Sequence, residues 1–126
     1  MNYLLVLALQ QYYVYYKDNF KLDFPTGSGH EMNLQEISIE IAKRLISIFE
    51  KNEEGKRPVN GDETIYLDDP HFNNLVLFYE YFHGDNARGV GASHQTGWTG
   101  VVAELINRVA KLEQEPIKTL KEEVFM

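Results

Sequence analysis

The chain contains no cysteine. That excludes disulfides, thiolate zinc sites and a cysteine nucleophile. It fits a reducing compartment, and the expected localisation is cytoplasmic. Basic residues are few, twelve Lys and Arg against nineteen Asp and Glu, for a formal net charge of −7. A surface of that sign repels a phosphate backbone, so no nucleic-acid partner is expected. No basic amphipathic stretch marks a membrane surface. Long hydrophobic runs are missing too. The longest, residues 3–9, is too short to span a bilayer. It has no basic lead-in and no small-residue cleavage site, so it does not read as a signal peptide. A buried helix that begins abruptly at Met1 is the expectation. Internal repeats and low-complexity segments are absent as well.

What the chain does have is aromatic side chains: eight Tyr, seven Phe and one Trp. Its 126 residues, 44% of them hydrophobic, suit one compact domain with a real core. Residues 3–16 are apolar on nearly every side, which predicts a helix buried all round. The segment from Phe24 to His30, with Pro25, Gly27 and Gly29, predicts a loop. A second helix follows, with Asn33 as N-cap and Glu36 at the capping-box position. Leu34, Ile37, Ile41, Leu45 and Ile48 form its apolar face. Asn60-Gly61 marks a tight turn. Residues 64–67 read as a short extended piece leading to Asp69-Pro70, an N-cap followed by Pro at the first helical position. The third element then runs from His71 to about Tyr79, its far end open between helix and strand. Glycines at 84, 89, 91, 97 and 100 crowd the next span. A fourth helix starts near Trp98 or Thr99, with Val102, Leu105, Val109 and Leu112 at helical spacing. The pattern predicts an all-α chain of about four helices with a long Gly-rich loop before the last.

Polar chemistry concentrates in residues 78–98. Glu80 stands among Phe78, Tyr79, Tyr81 and Phe82, followed by His83, Arg88, His94, Gln95 and Trp98. Glycines between them let backbone turn sharply and approach a ligand. Flat aromatic faces beside hydrogen-bonding groups suit sugar rings, and loops of this kind commonly carry function. A carboxylate flanked by tyrosines is partly desolvated, which favours proton transfer. Spacing alone fits more readily with Glu80 as an ordinary surface residue beside core aromatics. Other candidates are weaker. The histidines at 30, 71, 83 and 94 lack zinc-site spacing, and no metal or cofactor is expected. Gly27-Ser28-Gly29 lacks the ending of a phosphate loop. Ser93 and His94 are adjacent and form no nucleophile-base pair. Asp68-Asp69 is explained more simply by capping than by calcium.

The run from Phe78 to Gly89, followed by Gly91-Ala92-Ser93-His94-Gln95-Thr96-Gly97-Trp98-Thr99-Gly100, resembles the C-terminal region of glucosidase-like proteins around glycoside hydrolase family 63. Processing α-glucosidase and the mannosylglycerate and glucosylglycerate hydrolases are relatives. Asn2-Tyr3-Leu4-Leu5, Ala8-Leu9-Gln10, the segment from Pro25 to His30 and Arg44-Leu45-Ile46-Ser47 are similar in the same order. The resemblance implies that residues 1–126 form the C-terminal portion of an (α/α)6 toroid and that hydrolysis inverts the anomeric centre. Inversion needs two carboxyl groups roughly 6.5–9.5 Å apart, one an acid and one a base. Glu80 matches the family's base, and Gly97-Trp98-Thr99 matches a motif of trehalases of the same barrel type. By the same resemblance His83, Arg88, His94, Gln95 and Trp98 line the pocket for a carbohydrate substrate. Two departures follow. The family's acid is an aspartate well upstream, so the chain alone is expected to be inactive. The chain also opens inside a motif that relatives carry complete, so the missing part of the barrel, or self-association, is an expected partner. The alternative is a non-catalytic carbohydrate-binding or barrel-completing module, or an inactive remnant.

Overall fold

The computed structural model describes residues 1–93 and 97–114. Its four α-helices are α1 (Asn2–Tyr16), α2 (Leu34–Ser47), α3 (Ile65–Asp68) and α4 (Val102–Gln114). Two antiparallel ladders accompany them, β1 (Lys21–Asp23) with β2 (Glu31–Asn33) and β3 (Tyr81–Phe82) with β4 (Gly89–Val90). The described chain is therefore mostly helical but not purely α. It forms two compact units, Met1–Lys43 with the described residues from 104 onward, and Arg44–Ala103.

In the first unit the core comprises Val6 of α1, Leu34, Ile37 and Ala42 of α2, and Leu105, Val109 and Leu112 of α4. All four apolar positions expected on the last helix are buried, and each is 7% exposed or less. The capping box at the start of α2 is reciprocal. Asn33 N–H donates to Glu36 Oε2 at 2.8 Å, and Glu36 N–H donates to Asn33 Oδ1 at 2.9 Å. Two orphan donors are satisfied at once, which explains why the helix begins there. Its buried side is wider than the expected stripe, taking in Ser38, Ala42 and Ile46 while Ile41, Leu45 and Ile48 are half-buried. Ser38 tolerates full burial because its hydroxyl donates to Gln35 O at 2.7 Å.

The first helix departs from expectation. Only Val6 and Gln10 of α1 are buried, and Leu4, Leu5, Tyr12, Tyr15 and Tyr16 are exposed. A single packing layer covers one side of a helix and leaves the other bare, however apolar it is. Burial of Gln10 is explained by Arg108, whose Nη1 donates to Gln10 Oε1 at 3.0 Å while its Nε donates to Glu104 Oε1 at 2.9 Å. Tyr3 joins the same cluster, and burial together with the Glu104 carboxylate pushes its hydroxyl above the ordinary tyrosine range. On the far side of α4, Lys43 of α2 pairs with Glu113 at 2.5 Å.

The loop expected at Phe24–His30 closes the β1–β2 hairpin, in which Lys21 faces Asn33 and Asp23 faces Glu31. Asp23 organises it, accepting from Gly27 N–H at 2.6 Å and from the Ser28 hydroxyl at 3.0 Å.

The second unit corrects the reading of residues 64–79. The segment expected to be extended is α3, with Asp68 N–H donating to Thr64 O at 2.9 Å. Asp69 does cap the next turn, accepting from His71 N–H at 2.7 Å. That turn does not propagate into a helix. Asn73 and Asn74 behind the cap are poor helix formers, and the chain takes no regular secondary structure over residues 75–77, so the cap closes one turn only. The tight turn at Asn60-Gly61 is present, as the end of a 3-10 turn over Pro58–Asn60 with Gly61 at φ 56°. No helix among the described residues is long and apolar enough to cross a membrane.

Candidate active site around Glu80

Glu80 lies at a bend just before β3 and is half-buried. The aromatics around it in sequence divide their work. Phe78 and Phe82 turn inward against the buried Phe49, with ring centroids 5.9 and 5.6 Å away. They are half-buried and pack on a core residue, so the carboxylate is not enclosed by all four rings. Tyr81 is exposed. Tyr79 covers Gly89 so closely that a Cβ there would fall inside its ring. Burial first, then the hydrogen-bonded Tyr66 and the Glu63 carboxylate, push the Tyr79 hydroxyl up, with Arg88 opposing.

The carboxylate itself is held by backbone. Glu80 Oε2 accepts from Ala92 N–H at 3.1 Å, and the other oxygen has no hydrogen-bond partner among the described residues. Gly91, at φ 85°, allows this approach, since a Cβ there would collide with Oε2. Trp98 fixes the backbone from the other direction, its indole N–H donating to Glu80 O at 2.7 Å. The rest of that indole is bare, the residue being 78% exposed. Among the described residues, one Glu80 oxygen is thus left without a hydrogen bond, on a residue whose carbonyl is tied to an exposed indole.

β3 and β4 pair Tyr81 with Val90 and Phe82 with Gly89, and residues 83–88 close the hairpin. His83 N–H donates to Arg88 O at 2.8 Å, and Ala87, at φ 62°, returns its N–H to His83 O at 2.9 Å. His83 and Arg88 are thus brought opposite each other, but their side chains diverge. The His83 ring stays with its own loop, Nδ1 accepting from Asp85 N–H at 3.3 Å. The Arg88 stem packs on Gly61, on the side of Tyr66 and Tyr79. The structure therefore joins Glu80 with Trp98 and sends Arg88 elsewhere. His94 and Gln95 lie outside the described residues.

A protein of Saccharomyces cerevisiae, uncharacterized protein YMR196W, is 46% identical to the chain over 110 residues, 86% of the chain. The chain spans 10% of that relative's length. No protein-family model matches the chain, and no solved structure matches it.

Sequence reasoning missed Ala92, which contributes only a backbone N–H, and the Tyr66–Glu63 side of Tyr79. The run of glycines was the signal for the first; nothing in the spacing announces the second. Near that second cluster Lys56, Arg57, Asn60, Glu63 and Tyr66 help line a cleft of about 90 Å³. This is well short of the roughly 300–1,000 Å³ of a ligand pocket. Buried Arg57 Nε and Asn60 Oδ1 have no partner among the described residues. No three His, Asp or Glu among the described residues gather into a metal-binding group.

Proposed function

We propose that the chain is the C-terminal portion of an (α/α)6-toroid, inverting α-glycosidase, acting on glucosides or glycosyl-glycerate-type sugars, with Glu80 as its general base. The observation that carries the reading is the seating of Glu80: one carboxylate oxygen anchored by Ala92 N–H, the other without a hydrogen-bond partner among the described residues, and the exposed Trp98 indole tied to the same residue. In this mechanism the second oxygen takes a proton from water as that water attacks the anomeric carbon. A separate carboxylic acid protonates the departing glycosidic oxygen, the C–O bond breaks, and the configuration inverts. Trp98 offers its face to the sugar ring. His83, Arg88, His94 and Gln95 are assigned to the sugar pocket by resemblance, although the Arg88 side chain packs away from Glu80, on Gly61. No cofactor enters the reaction, and the cysteine-free sequence supports a cytoplasmic setting. The acid belongs to polypeptide outside this segment, in keeping with a relative of which the chain spans 10%.

A second reading, a non-catalytic carbohydrate-binding module, is favoured by the exposure of Trp98. One experiment separates them. The chain is combined with the remainder of a full-length relative, and hydrolysis of α-glucosides is followed by NMR with the anomeric form of the product recorded. Glu80→Gln should lower turnover at least ~10³-fold, within the range for loss of a general base, with sugar affinity and circular dichroism retained. Unchanged turnover, or a product that retains its configuration, refutes the assignment. Sugar binding without any hydrolysis in the wild-type assembly establishes the module instead.

A further inference from the structure

The bare side of α1 is organised. At 3.6 residues per turn, Leu4, Leu5, Ala8, Tyr12, Tyr15 and Tyr16 project within about 120° of one another, opposite the buried Val6 and Gln10. The exposures are 63%, 47%, 60%, 82% and 40% for Leu4, Leu5, Tyr12, Tyr15 and Tyr16. Leu5, Ala8, Tyr12 and Tyr15 follow one another at three, four and three residues, the spacing of a seam that receives a second helix. No charged residue occurs anywhere in α1. The three tyrosines alone present roughly 350 Å² of ring surface, already comparable to the largest apolar patch of a typical monomer. Their mutual packing, with Tyr15 and Tyr16 edge to face at 4.9 Å, makes a fixed surface of them.

We infer that this face is a docking surface for an apolar helix that belongs to polypeptide outside residues 1–126, in a protein of the length its yeast relative has. The length is the deciding observation, since the matched segment is 10% of that relative. A helix in the same polypeptide meets the face intramolecularly, without the concentration dependence that limits a second copy. Ala8, between Leu5 and Tyr12 in the seam, lets the partner backbone approach. The docking deepens the toroid reading and rests on its claim that further polypeptide completes the fold, but it does not depend on Glu80 or on any hydrolytic activity.

The test is complementation in trans. The yeast relative is produced without its matched segment and co-expressed with the tagged 126-residue chain, with the relative's own segment as reference. The wild-type chain should retain the truncated relative in equal amount. The pair Tyr12→Lys with Tyr15→Lys should lower retention at least tenfold, and Tyr12→Leu with Tyr15→Leu should preserve it. Circular dichroism of both variants should match wild type, since the replaced side chains are largely solvent-facing. Equal retention by the lysine pair overturns the inference, as does no retention by the wild-type chain. Sedimentation of the chain as a dimer that the lysine pair dissolves, without retention of the relative, assigns the face to a second copy instead.

Discussion

Replacement of Gly91 by alanine tests the Glu80 site at its tightest point. Gly91 has φ 85°, where an L side chain is strained by roughly 1–2 kcal/mol. The new Cβ also falls on Glu80 Oε2, so the carboxylate must leave and the hydrogen bond from Ala92 N–H goes with it. A solvent-accessible hydrogen bond of this kind contributes about 0.5–1 kcal/mol. Against these stands a gain of about 0.4–1 kcal/mol from the less flexible unfolded chain. The net loss is about 1–2 kcal/mol, which lowers Tm by roughly 4–10 °C at this chain length. Two other glycines of the same hairpin serve as comparisons. Gly84 has open space and an ordinary φ, so Gly84→Ala should stay within ~0.5 kcal/mol of wild type. Gly89 also has an ordinary φ but meets the Tyr79 ring, so Gly89→Ala should cost about 1–3 kcal/mol through steric overlap alone. Urea denaturation ranks the three, and the Ala92 amide proton in NMR reports the carboxylate, moving upfield in Gly91→Ala only. Equal stability of the variants at 84 and 91, or an unmoved Ala92 amide at 91, refutes this account of how Glu80 is held.

Three further outcomes are expected. Leu112→Ala, at a position 1% exposed, should cost about 2–5 kcal/mol in chemical denaturation, whereas Ile106→Ala on the exposed side of α4 should stay within ~0.5 kcal/mol; similar values for both would place the helix face wrongly. Asn33→Ala removes the capping box and the 2.8 Å bond to Asp18, and should cost about 1–2 kcal/mol in the same assay, with no loss counting against the cap. At Asp23, slight desolvation acts upward, but hydrogen bonds from Gly27, Ser28, Gly29 and His30 outweigh it and hold the carboxyl below its ordinary value. Its contribution is therefore complete above the ordinary Asp range near ~3.9 and lost as pH falls through the lower folded value. The Gly27 amide shift, titrated by NMR, should show a midpoint below that of a model Asp, and a midpoint at or above it sinks the reading.

Periodicity carried furthest on the last helix. Val102, Leu105, Val109 and Leu112 are all buried as their spacing predicts, and Asn33 with Glu36 closes the box their order predicts. Residues 64–79 were misread because the strongest local signal, Asp69-Pro70, reports where a turn begins and says nothing of whether the next residues sustain it. The two ladders escaped notice because strands of two or three residues are too short to display alternation. In the site, Glu80 was visible as a carboxylate among aromatics, but the bond from Trp98 joins a side chain to a carbonyl eighteen residues away, and no pattern of residue types encodes that. Phe78 and Phe82 looked identical to Tyr79 and Tyr81 in composition; only the position of Phe49 tells that they face the core.

The bond between Arg108 and Gln10 has a consequence for synthesis. It joins residues 98 positions apart, so the first unit is assembled from both ends of the segment while Arg44–Ala103 is continuous between them. During translation the continuous unit is complete before α4 has emerged, at roughly 5–20 residues per second, some seconds after α1. Through that interval the polar cluster lacks its arginine, and α1 offers apolar side chains all round. A ribosome stalled before residue 108 would therefore leave Val6 and Gln10 uncovered, in addition to the side of α1 that stays bare in the folded segment.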